Sequence, residues 1–392
     1  AQGSEEDVRA GRVGSFLGVW GAETTRRLQQ IAVEESRLHI PLLFSFDIIH
    51  GLRTVFPVPL GEAASWNPEL AQRSARVAAF EGSAHGLHWT YAPMVDVARD
   101  ARWGRVVEGA GEDPFLGSAF AVARVRGFQG GEVKDASRML ATAKHFVAYG
   151  VAEAGRDYNI ADLSQRTLFE VYTPPFRAAV EAGVGSIMTS FNEVAGVPMH
   201  AHAELIRDVL RKQWGFNGVV VSDYTGIREL MVHGVAKDRT QAGELSMRAT
   251  IDVDMISAIY GKEMQASVKS GAIPVSLVDA SVRRVLKAKK DLGLFEDPYR
   301  YSDPQREKAR TLTEESRALA REAAGQSIVL LKNEGPVLPL RKDVSSIAVV
   351  GALAVDTRAV LGSWPGLGQP TDAVSVLDGI RRAVSDKTRV TY

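Results

Sequence analysis

No cysteine occurs in the 392 residues, which excludes a disulfide framework and any thiolate metal centre. An excess of either charge is missing too: 47 Lys+Arg stand against 47 Asp+Glu, for a formal net charge of zero. With no concentrated basic stripe, nucleic acid is not an expected partner. No apolar run is long enough to span a bilayer. The chain also lacks an initial methionine and a signal-like apolar leader; a processed or truncated N-terminus stays open, and the missing leader carries no information. What is present is an ordinary globular composition, 45% hydrophobic and 24% charged, long enough for two domains.

Short apolar runs recur at 13–20, 40–47, 87–96, 141–150, 185–192, 218–223 and 251–257. Helix-like segments lie between them, with apolar residues three and four apart and Gly86 and Gly183 where C-caps belong. Strand and helix alternating at this rhythm predict a parallel sheet with helices outside. The count fits a (β/α)8 barrel whose eighth strand is not evident, so an incomplete barrel is open. LGLFEDPYRYSDPQ reads as a linker, and a second α/β unit follows. The expected division is 1–292 catalytic barrel, 293–312 linker and 313–392 the first part of a truncated α/β sandwich domain. That unit, about 75 residues long, has too little core to stand alone, so a fragment is expected.

The apolar runs end in polar groups: Asp47 with His50, Asp96, Lys144 with His145, Met188 to Asn192, Asp223 and Asp254. Parallel strands place all these ends at one mouth, where barrel enzymes keep their chemistry. Asp223 follows three valines directly, and is either a helix cap or a carboxylate held at that mouth. Arg99, Asp100, Arg102 and Arg105, in the loop after Asp96, would reach the same rim.

The stretches PLLFSFDIIHG, FPVPLGEAASW, APMVDVARDARWGRVVEGAGEDP, AKHFVAYG, SIMTSFNEVAGVP, WGFNGVVVSDY and LGLFEDPYRY resemble family 3 glycoside hydrolases, most closely the bacterial β-glucosidase branch. The similarity runs from Gly14 to about Gly351. The resemblance implies a barrel followed by an α/β sandwich, and a retaining, exo-acting β-glucosidase that needs no cofactor or metal. It makes Asp223 the nucleophile that holds the sugar covalently. It makes Asp47 a carboxylate for sugar hydroxyls and Lys144 and His145 donors to the sugar, with Arg105 the site arginine of RWGR. Met188, Phe191 and Tyr224 would line the pocket. Arg156 is either a further site arginine or a surface or capping residue. Arg102 is read as bracing its loop, and Glu108, Glu112 and Asp113 as part of a structural loop that organises the rim.

Two positions depart from the family pattern. Tyr224 stands where Trp is frequent, and Phe191 where several relatives have Tyr. The branch that cleaves N-acetylglucosaminides uses an Asp-His dyad as acid/base; here KHFVAYG has Tyr149 in place of the second His, against that dyad. In the glucosidase branch the acid/base is a Glu deep in the second domain, so it is expected on sequence beyond this chain. Without it, general acid help worth about 10²–10⁴ in rate is missing, and unactivated glucosides should be cleaved poorly. The expected partners are a β-glucoside oligosaccharide and the remainder of the second domain; homo-oligomerisation stays open. The implied setting is periplasmic or secreted. The alternatives are a β-xylosidase or α-L-arabinofuranosidase of the same family, and a non-catalytic sugar-binding relative. A phosphate-binding barrel has no Gly-rich cradle to support it.

Overall fold

In a computed structural model the described residues are 3–130, 136–335 and 337–392. Parallel strands succeed one another in chain order: β1 (Ser15–Leu17), β2 (Leu43–Phe46), β3 (Trp89–Thr90), β4 (Thr142–Phe146) and β5 (Ser186–Thr189). A small antiparallel hairpin, β6 (Glu193–Val194) and β7 (Val197–Pro198), precedes β8 (Val219–Val221), which pairs with β5. Parallel bridges from Trp89 to Leu140 and from Met94 to Lys144 join β3 to β4, so the sheet is continuous.

Side-chain alternation explains why these runs are apolar on both faces. Val219 and Val221 point inward with Leu43, Trp89 and Met188, while Val220 packs outward with Phe44 and Ile187 under the helices. That is the pattern of a parallel sheet covered by helices. The helices start where local chemistry dictates. Asn67 and Asp113 each accept a backbone N–H of the first turn, and Pro68 and Pro114 open Pro68–Ala84 and Pro114–Gln129. Asp113 is thus a cap, as a structural rim loop requires.

The seven expected runs contribute six strands; the seventh is reduced to a bridge between Val221 and Val253. No eighth strand follows among the described residues. Instead Ala288 and Leu292, at the end of helix Val275–Asp291, join Leu294 and Tyr301 in the interior against Leu43 and Trp89. The architecture is a TIM-like barrel, incomplete at this position. The segment read as a linker is packed: Tyr301 is fully buried, and helix Pro304–Arg310 lies within it. Its aromatic and leucine side chains bury it, while Asp303 and Pro304 start that helix.

Beyond it, helix Glu314–Ser327 lays Leu319 and Ala323 on Phe56 and Leu70 of the barrel. Ile328 to Leu331 are exposed and pair with no strand among the described residues. The parallel pair β9 (Ser346–Ala348) and β10 (Arg389–Thr391), with helix Val376–Ala383 between them, completes the described part of the second unit. This is the start of an α/β sandwich.

Candidate active site

Asp223 leaves β8 at its C-terminal end and is 8% exposed. It caps nothing. The following helix, Gly226–Glu229, begins at Thr225, while Asp223 Oδ1 accepts the Tyr224 N–H at 2.7 Å. Behind it, His200 Nε2 accepts the Asp223 backbone N–H at 3.0 Å. That lone pair is available because burial drives His200 down to about 3, leaving the ring neutral. The fit requires glycine at 226, where a Cβ would lie 2.1 Å from His200 Nε2.

The other carboxylate oxygen, Asp223 Oδ2, is buried and has no hydrogen-bond partner among the described residues. Burial raises this carboxyl to about 6, with Lys144 and Arg105 pulling the other way. Native proteins rarely leave a buried acceptor open, and such an orphan calls for an explanation.

The C-terminal ends of neighbouring strands surround that oxygen. Lys144 and His145 end β4; Lys144 Nζ is 2.9 Å from Asp47 Oδ1, just past β2. His145 donates its backbone N–H to Asp96 Oδ2 at 3.0 Å, and its Nδ1 lies 2.8 Å from the same oxygen. Arg105 Nη2 approaches His145 Nε2 at 3.0 Å. A guanidinium only donates, so Nε2 carries the lone pair and Nδ1 the proton. Burial, with Arg105 and Lys144 adding to it, holds His145 well below its ordinary value, which agrees with a neutral ring.

Arg105 is itself clamped by Glu108, with Nε to Oε1 at 2.7 Å and Nη2 to Oε2 at 3.0 Å. Burial opposes the charge on both partners, yet their pairing prevails: Arg105 is raised and Glu108 lowered. The EGAGEDP loop therefore organises the rim through one defined contact. Arg102 pairs with Asp100 at 2.7 Å on the surface, bracing its loop.

The structure thus brings Asp47, Arg105, Lys144, His145 and Asp223 into one mouth. Phe191, 4% exposed, lies 4.3 Å, centroid to centroid, from the half-exposed Tyr158 and 6.1 Å from His200. Tyr149, standing where a dyad histidine would be, is fully buried, its ring edge-on to His145 at 5.1 Å. Tyr224 is 48% exposed beside the carboxylate, whereas Met188 sits in the barrel interior. Arg156 is exposed on the loop after β4 and joins none of these contacts. Asp254 accepts the N–H groups of Ser257, Ile259 and Tyr260, a turn-closing role.

Sequence reasoning passed over His200 and gave Asp96 and Glu108 no individual role. Asp96 was visible only as one more strand-end acid, yet it orients His145. Glu108 sits three residues from Arg105, a local spacing that could have signalled the pair, whereas His200 carries no local signal because the fold brings it to Asp223 from 23 residues away.

A model of the glycosyl hydrolase family 3 N terminal domain matches residues 4–288, and one of the C-terminal domain of that family matches residues 328–391. The periplasmic beta-glucosidase of Salmonella typhimurium is 41% identical over 390 residues, covering 99% of this chain and 51% of that protein. A beta-xylosidase of Formosa agariphila is 37% identical over 396 residues, covering 94% of this chain and 54% of that protein. The beta-glucosidase of Listeria innocua, solved in complex with glucose, superposes with a TM-score of 0.92 at 41% identity, covering 96% of this chain and 52% of that one. The chain spans about half the length of the relatives it matches.

Proposed function

The chain belongs to glycosyl hydrolase family 3, and from that premise we propose that it carries the glycone pocket and nucleophile of a retaining, exo-acting β-glucosidase. The observation that carries the reading is the buried, unpartnered Oδ2 of Asp223 at a strand mouth lined by Lys144, His145 and Arg105. In this reading Asp223 attacks the anomeric carbon, the C–O bond to the leaving group breaks, and a glycosyl-Asp223 ester forms. Asp47, Lys144, His145 and Arg105 hold the sugar hydroxyls, while Phe191 and Tyr224 shape the pocket; Met188, packed in the barrel interior, and Arg156 have the weakest support. Asp47, Asp96 and Glu108 are each engaged with a cation or an imidazole. Asp223 therefore supplies the covalent step, and none of these three acids is offered as the proton donor.

We place the catalytic barrel at 1–292, a connecting segment at 293–312 and the start of the sandwich domain at 313–392. A periplasmic or secreted setting is supported by the name of the Salmonella relative. Among the described residues, no helix is long and apolar enough to cross a membrane. The similarity to a beta-xylosidase favours a pentoside specificity as the second reading.

The test is incubation with an activated 2-deoxy-2-fluoro-β-glucoside, with the adduct located by peptide mass spectrometry. An adduct on Asp223 is expected. An adduct on another carboxylate removes Asp223 from its role. Labelling by the xyloside analogue alone shifts the specificity to the second reading.

A further inference from the structure

His50 lies three residues beyond Asp47, is buried, and has both ring nitrogens against carbonyl oxygens. Nδ1 is 2.7 Å from the oxygen of Phe56, which in turn donates its N–H to the His50 carbonyl at 2.8 Å. Nε2 is 2.5 Å from the oxygen of Ser363, in the second unit. A carbonyl oxygen only accepts, and a neutral imidazole has one N–H, so one of these contacts would set two lone pairs face to face. Only the imidazolium satisfies both.

The surroundings suit a cation. Glu62 and Arg124 line the small cavity next to His50, and Glu62 Oε1 has no partner among the described residues. On the same loop Arg53 pairs with Asp372 of the second unit at 2.7 Å, and the backbone N–H groups of Arg53 and Thr54 go to Glu81. Through its other oxygen Glu62 pairs with Arg124 at 2.9 Å.

The contact belongs to a larger seam. Leu367 N–H donates to the Leu52 carbonyl at 2.7 Å, and Arg53 Nη1 donates to the Leu367 carbonyl at 3.1 Å. Gly366 makes the approach possible, since a Cβ there would stand 2.7 Å from Leu52 O. The same second-unit loop carries Trp364, which reaches Glu108, the residue that clamps Arg105.

We infer that His50 is a positioning residue that works as an imidazolium, strapping the 362–367 loop of the second unit onto the barrel loop that carries Asp47. The strap is made while the ring holds both protons and loses one hydrogen bond when a proton leaves, so it loosens as pH rises. Its value for catalysis rests on the function proposed above; its existence does not.

The experiment uses the 392-residue chain with ¹⁵N-labelled histidine. Long-range ¹H–¹⁵N spectra report the protonation of each His50 ring nitrogen as pH is raised, and hydrogen exchange reports protection factors at Phe56 and Leu367 over the same range. Expected are two ring N–H groups on His50 at the lower pH. Loss of one should coincide with a roughly ten- to hundredfold fall in protection at Leu367, the scale of one charge-assisted hydrogen bond. In His50→Gln, which cannot donate from two ring positions, Leu367 protection should be low at every pH. A singly protonated His50 with Leu367 fully protected overturns the inference, as does unchanged protection in His50→Gln. Should that variant not fold, the titration of the unmodified chain decides alone. None of these readouts requires glycosidase activity, so failure of the strap and failure of the glucosidase reading are separate results.

Discussion

Asp223 Oδ2 lies 3.6 Å from His145 Nε2 without a hydrogen bond between them, because that nitrogen already accepts from Arg105 at 3.0 Å. The imidazole neighbours the carboxylate but leaves its attacking oxygen unengaged. A chain of donors, from Glu108-held Arg105 through His145 to Asp96, thus keeps one lone pair on Asp223 free for substrate.

An unengaged buried charge is costly to folding. Raising the Asp223 carboxyl from 3.8 to about 6 corresponds to roughly 3 kcal/mol against the ionised form, as an upper estimate. The folded state binds this proton more tightly than the unfolded chain, so stability falls as pH rises from about 4 to 6. Asp223→Asn is therefore expected to raise the thermal midpoint at pH 7–8 and to lose that advantage below about pH 4. The same change should abolish adduct formation, at least about 10³-fold in rate. Calorimetry across pH, paired with labelling kinetics, checks both; a destabilised variant at pH 8 would refute the stability half.

Glu108→Gln leaves a mostly buried guanidinium short of its carboxylate. Breaking such a pair typically costs about 3–5 kcal/mol. Pairing holds Glu108 below its ordinary value, so its contribution is present at neutral pH and is lost as pH falls through the carboxylate range. Urea midpoints should separate variant and parent at pH 7 and converge in acid. Sugar affinity should fall as well, since Arg105 would no longer be fixed.

Gly226→Ala drives a methyl group into His200, the acceptor behind Asp223. A loss of about 1–3 kcal/mol is expected, together with slower labelling of Asp223. Gly325→Ala, in helix Glu314–Ser327 with nothing within 4 Å of the added Cβ, is the control and should be neutral or stabilising. Thermal unfolding of the two variants side by side gives the answer.

Lys289 is buried at the end of helix Val275–Asp291, and burial lowers it to about 8 from 10.5. Because the folded state disfavours its proton, stability should rise as pH climbs from about 8 to 10.5. Lys289→Met removes that cost, worth roughly 3 kcal/mol at neutral pH as an upper estimate. A higher melting temperature at pH 7, with the gap closing above pH 10, is the expected pattern.

How much of this was legible in the chain varies with distance along it. The VVV run before Asp223 and the glycines at 86 and 183 are local signals, and each stands where the sequence placed it; the Asn67-Pro68 and Asp113-Pro114 helix starts are equally local. Strand periodicity and capping act over a few residues, so the alternating barrel and the mouth position of Asp223 were readable directly. The partners that give the mouth its chemistry lie further off: 23 residues from Asp223 to His200, 40 from Arg105 to His145, 49 from His145 to Asp96 and 97 from Lys144 to Asp47. No local pattern encodes which of many acids meets which base; closure of the barrel decides it. The same holds for the reduction of the seventh strand to one bridge at Val253, the burial of Tyr301 and the seating of the Ser363 carbonyl on His50. By itself the sequence determined which residues could do chemistry at the strand ends, through short-range backbone preferences. Tertiary structure alone decided which of them are tied to one another and which oxygen is left free, because burial and hydrogen-bond satisfaction exist only once distant segments meet.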